Sequence, residues 1–218
     1  MNEATEVQTT TKNIPQKGEF YVLGPDMRGS RGHGVVFENE NKFPWPPHMH
    51  IGPSSAGIKE FKEVPRLRQS RPNDMPSDLD SDFRGYWLVS EPLKQLFESI
   101  DPEGFEFASC DFILNDGSKA PAHYLCDIVR VIDAIDEDAS KVKILTEGYS
   151  KQGKHYSLAG GASLAFRKTV IDSAHIFRTP YNSRLVICDQ ILRNALVENG
   201  FGKPRNSRGV WLIDAANY

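Results

Sequence analysis

The chain has 218 residues, 39% hydrophobic and 25% charged, with a formal net charge of −3. That length and composition suit a globular protein with one large domain, or one domain and a small appendage. The mild negative charge excludes a chain built as a whole to hold nucleic acid or an anionic membrane, and no apolar run approaches the ~18–20 residues that cross a bilayer.

Residues 1–18 (MNEATEVQTTTKNIPQKG) have no apolar core, so they read as a disordered tail rather than a secretory signal, which points to the cytoplasm. Cys110, Cys126 and Cys188 form an odd set without a C-x-x-C pair, as expected of buried free thiols in a reducing compartment. Residues 19–23 (EFYVL) and 33–37 (HGVVF) read as short strands. Seven prolines from Pro44 to Pro76 then remove backbone donors and fix φ. They predict a long irregular segment over 43–82, with no helix or central strand, serving as a binding loop, a linker or a surface wrap.

Regular signals return at Gly85. Residues 86–89 (YWLV) are strand-like, Ser90 is a candidate N-cap, and Leu93, Leu96, Phe97 and Ile100 fall at helical spacing. Asp101-Pro102-Glu103-Gly104 stops that helix. Residues 105–114 alternate like one strand, Asn115-Asp116-Gly117 is a hairpin-grade turn, and 124–132 (YLCDIVRVI) reads as a core strand. Residues 158–166, 174–177 and 209–213 add strand candidates. A closing helix runs from about Cys188 to Asn199 and stops at Gly200. The two helices share a design, an amphipathic stretch followed by Gly and Phe, but no fixed period supports a repeat array. The expected fold class is α+β: a mixed or antiparallel sheet with two or three helices packed on it, after a proline-rich irregular segment. The expected division is a tail (1–18), strands with the proline-rich segment (19–84), and an α+β domain (85–218).

Catalytic and metal-binding patterns are weak. The run Asp74, Asp78, Asp80, Asp82 lacks the glycine and the bidentate glutamate of an EF-hand, with Phe83 and Val89 in their places. His48 and His50 have no third ligand at metal spacing. His123, Cys126 and Asp127 lie close together, but Cys126 falls in an apolar run where a thiol is inert. Gly160-Gly161 lacks the G-x-G-x-x-G pattern, and there is no G-x-S-x-G elbow or P-loop. No cofactor is implied.

Charge is more informative. From Asp74 to Asp138 there are sixteen acids and four bases, a balance of −12 that leaves +9 on the remaining residues. Five bases (Lys59, Lys62, Arg66, Arg68 and Arg71) cluster just before it. Either the fold scatters these acids over several faces, or they form a surface that steers and holds a basic protein. In the second case the candidate partner-binding residues are Asp78, Asp80, Asp82, Glu103, Glu106, Asp111, Asp116, Asp136, Glu137 and Asp138.

Residues 86–97 (YWLVSEPLKQLF) with 101–107 (DPEGFEF), the run 127–136 (DIVRVIDAID), residues 175–178 (HIFR) and the closing helix with Gly200-Phe201 together resemble the bacterial immunity protein family eleven. Proteins of that family are found beside polymorphic and type VI secreted toxins. The resemblance covers roughly residues 85–205 and implies a non-enzymatic inhibitor of a cognate toxin, supplying no catalytic residue and no metal. It implies a toxin partner, expected from the adjacent gene; the mild net charge leaves neither nucleic acid nor membrane as an expected ligand. Two other readings stay open: an enzyme of unrecognised class using His123, His155 or His175 with a carboxylate, and an adaptor of a secretion or phage system.

Overall fold

The computed structural model describes residues 13–28, 34–49, 56–148 and 153–218. Its strands in chain order are β1 (Phe20–Pro25), β2 (Val35–Phe37), β3 (Arg66–Gln69), β4 (Leu79–Phe83), β5 (Tyr86–Ser90), β6 (Phe105–Ser109), β7 (Asp111–Ile113), β8 (His123–Ile128), β9 (Lys143–Leu145), β10 (His155–Ser157), β11 (Ile176–Thr179), β12 (Asn182–Asp189) and β13 (Val210–Asp214). The helices are α1 (Glu91–Ile100), α2 (Lys168–Ile171) and α3 (Gln190–Glu198). The fold is α+β, as expected.

Two four-stranded antiparallel sheets dominate, a middle sheet ordered β4-β5-β8-β6 and a C-terminal sheet ordered β11-β12-β1-β13. A smaller sheet, β2-β3-β7, is mixed because β3 and β7 run parallel, and β9 and β10 form a ribbon. Successive side chains of a strand point to opposite faces, so each central strand serves two cores. In β5, Trp87 and Val89 join a core that both four-stranded sheets share with α1 and α3, while Tyr86 and Leu88 face a second core under the small sheet. In β12, Val186 and Cys188 face the shared core, whereas Leu185 and Ile187 face a third, closed by Tyr156, Leu164 and Phe166.

The two large sheets repeat one plan. A hairpin (β4-β5, or β11-β12) leads into a helix (α1, or α3) and then an edge strand (β6, or β13). The gap in the sheet is filled by β8 in one unit and by the N-terminal β1 in the other. The similar helices noted in the sequence are therefore equivalent parts of two units. No period shows because the inserted strand lies downstream of one unit and far upstream of the other. Phe105, after Gly104, stacks on Phe97 of α1 with ring centroids 4.4 Å apart.

Several expectations require correction. The proline-rich stretch contains β3, the centre of the small sheet, and most of β4. Residues 66–69 fit between Pro65 and Pro72, and their alternation buries Leu67 and Gln69 while exposing the two arginines. Residues 105–114 do not form one strand: the chain breaks at Cys110, with β6 pairing β8 and β7 pairing β3. Residues 158–166 make only isolated bridges, at Ser163 and Phe166, because Gly160 and Gly161 both adopt positive φ. The eight-residue β12 has no counterpart among the expected strands. Ser90 holds the extended backbone of an N-cap, but its hydroxyl donates to Asp78 at 2.5 Å instead of capping α1. The expected tail, and His33 and His50, lie wholly or partly outside the described residues.

Candidate functional site

Where the two large sheets meet, Arg178 of β11 ties them together. Its backbone N–H donates to Arg130 O and its carbonyl accepts from Ile132 N, while its Nε donates to Ile128 O at 3.2 Å and its Nη1 to Ser183 O at 2.7 Å. Beside it, buried Asp127 of β8 has a carboxylate oxygen 3.7 Å from Arg178 Nη2 and 3.1 Å from His48 Nδ1. All three side chains are at most 6% exposed. Burial pulls the Arg178 guanidinium down to about 10, and Asp127 works against that shift. Burial, and next the Asp127 charge, push the Tyr86 hydroxyl up; it donates to the carbonyls of Pro44 and Ala56.

Arg178, His48 and Tyr86 line a cleft of about 480 Å³. One wall is the end of β1, at Gly24 and Pro25, with Ser183 and Arg184 of β12. The other is the β4–β5 turn and the start of β5, through Trp87. The short turn Pro47–Met49 and Trp45 cover it. Asp82, at the irregular end of β4, and Arg84 and Gly85 in the β4–β5 turn all take positive φ, at 72°, 54° and 85°. Left-handed backbone costs an L-residue ~1–2 kcal/mol and recurs at ligand sites. A Cβ on Gly85 would stand 3.2 Å from both Met49 and Pro46, so glycine lets the cover close on the turn.

The groups that could suggest catalysis have structural partners. Ser90 donates to Asp78, and Asp78 is gripped by Arg208 through two bonds of 2.8 and 2.9 Å. His123 Nδ1 lies 2.8 Å from Pro121 O, a contact in which the ring donates. His175 pairs with Asp189 at 2.8 Å, and Asp189 also caps α3 by accepting from Leu192 N. Cys126 is fully buried and its thiol is raised well above the ordinary value by desolvation. Among the described residues no group of three or more His, Cys, Asp or Glu side chains could hold a metal ion.

The ten candidate acids divide into two groups. Six are held by the fold. Asp78 takes Arg208, Asp80 accepts from Ser77 N at 2.7 Å, and Glu106 pairs with Lys59 at 2.8 Å. Asp116 is lowered by the Ser118 hydroxyl, Asp136 by the Asn13 amide and Glu137 by Lys154. Asp82, Glu103, Asp111 and Asp138 are exposed and have no side-chain partner among the described residues. These four lie at the end of β4, the turn after α1, the start of β7 and the loop beyond β8. Only Asp82 lines the cleft.

Sequence reasoning missed the cleft itself. One usable signal was Arg178, a lone charge within the otherwise apolar or neutral strand Ile176–Thr179. A family model described as the immunity protein family (Imm11) matches residues 19–217, taking in the proline-rich segment as well as both sheets. No curated protein matches the chain.

Proposed function

The chain belongs to the immunity protein family (Imm11), and from that premise we propose that it binds and neutralises a cognate bacterial toxin without catalysing a reaction. The family match over residues 19–217 is the observation that carries this reading. The partners taken by Ser90, His123 and His175, and the burial of Cys126, support a binding role, since these groups already serve the fold. The toxin would be a polymorphic or type VI secreted protein encoded by the adjacent gene and met in the cytoplasm. Among the described residues no helix is long and apolar enough to cross a membrane.

Within the acidic stretch, the unpartnered carboxylates Asp82, Glu103, Asp111 and Asp138 are the groups we assign to partner contact. An exposed carboxylate with no internal partner is free to meet a basic one and to steer its approach. Asp78 and the other five acids have their bonds within the fold. Co-expression tests the reading: cells producing the neighbouring gene's toxin domain survive when this chain is present and die when it is absent. Death in both cases would sink the proposal.

A further inference from the structure

We propose that the cleft between the two large sheets receives an inserted segment of the toxin that carries a carboxylate side chain; this rests on the reading of the chain as a toxin-binding protein. At about 480 Å³ the cleft lies within the range of ligand sites, ~300–1,000 Å³. Its walls are built from residue types that dominate the energetic centres of protein interfaces. Two of the chain's three tryptophans, Trp45 and Trp87, line it with Tyr86 and Met49.

Its charges call for a partner with an acid. Among the described surface arginines, Arg28 has Asp26, Arg68 has Glu38, Arg71 has Asp74, Arg167 has Asp133 and Arg208 has Asp78, while Arg66, Arg193 and Arg205, outside the cleft, have no carboxylate among the described residues. Arg84 and Arg184, both in the cleft, have none among the described residues. Arg84 lies over the Trp45 ring, 4.9 Å from its centroid, and its Nε is buried without a hydrogen-bond acceptor. A buried donor left unpaired costs ~1–3 kcal/mol, which an incoming carboxylate would relieve. Glu40 and Asp82 line the same cleft and are also unpaired among the described residues. They offset the pull on a small free anion. A peptide can satisfy both signs, with its acid on Arg84 and neighbouring donors on Glu40 and Asp82. The left-handed turn that presents Asp82 and Arg84 is the kind of local strain that a binding site retains.

The test uses the full chain with Trp211→Phe, which leaves Trp45 and Trp87 as its only tryptophans. The probe is the neighbouring gene's toxin domain, produced with its own tryptophans replaced by phenylalanine. Titration is expected to shift the tryptophan emission, and Trp45→Ala and Arg84→Gln are each expected to weaken binding about 30-fold or more. Arg84→Gln removes no ion pair of the described fold, so an unchanged urea midpoint certifies its folding independently of Trp45→Ala. If the toxin binds with unchanged emission and Arg84→Gln binds like the parent, the cleft is not the site and the immunity reading still stands. If the parent chain does not bind the toxin at all, both readings fall. If inorganic phosphate or a nucleoside monophosphate alone shifts the emission and competes with the toxin, the occupant is a small anion and the proposal is overturned.

Discussion

Replacing Asp101 with asparagine removes a charge that holds the two units of the fold together. Asp101 follows α1, and its side chain is 6% exposed. Its carboxylate receives both Nη atoms of Arg130, the second at 3.0 Å, along with His175 N at 2.9 Å and Ile176 N at 3.2 Å from β11 and the residue before it. Asparagine supplies one acceptor oxygen in place of two and sets its amide donors against these N–H groups. Breaking a buried pair by removing one member costs ~3–5 kcal/mol. Arg130 is 22% exposed, so water screens part of the loss and about 3 kcal/mol is expected. With a urea m-value of ~2–3 kcal/mol/M, the midpoint at pH 7 falls by about 1–1.5 M.

The pH dependence follows from the same contacts. Burial pushes the Asp101 carboxyl up, but the Arg130 bond and the His175 and Ile176 amides outweigh it, and the net shift is downward. A carboxyl whose folded pKa lies below its unfolded value of ~3.9 contributes stability above that value and loses it as pH falls through the folded pKa. The gap between parent and variant is therefore full at pH 7 and narrows below about pH 4. Equal midpoints at pH 7, or a gap that widens on acidification, would refute the reasoning.

Gly209→Ala is expected to lower stability by roughly 2 kcal/mol or more, read as a fall in thermal midpoint. Its φ is +84°, and a Cβ there would stand 2.3 Å from Leu79 O. Asp78→Asn is expected to cost about 1–3 kcal/mol, because Arg208 and the Ser90 hydroxyl lose a charged acceptor, whereas Asp111→Asn changes the urea midpoint by less than about 0.5 kcal/mol equivalent. The native protein is expected to resist thiol reagents at pH 8, since burial pushes Cys110 up to about 12 and raises Cys126 and Cys188 further from reach. In denaturant all three should react, so fast modification of the native state would contradict their placement.

Much of the fold was legible where local pattern and tertiary role agree. β5 and α1 follow from an apolar run, a cap position and helical spacing, and β1, β8 and β13 from short apolar stretches. The reading failed where pairing partners are remote. β3 is a strand because β2 and β7 flank it, which prolines at 65 and 72 do not reveal. β12 merges into α3 without a break, and the sequence showed the helix while hiding the strand. The charge imbalance was visible, but composition does not tell a free acid from a paired one. Asp78 and Asp111 look alike in the sequence; Arg208, 130 residues away, separates them. The cleft was least legible, because Trp45, Arg84 and Arg178 meet only through the packing of the two sheets.

Neutralisation by binding has a stoichiometric signature that a catalytic mechanism lacks. Purified toxin domain, assayed for its activity against increasing amounts of this chain, tests that difference directly. Capture predicts activity falling linearly to zero at one chain per toxin, with activity recovered when the complex is dissociated. Complete inactivation by a small fraction of an equivalent, persisting after the chain is removed, would contradict it and point to an enzyme.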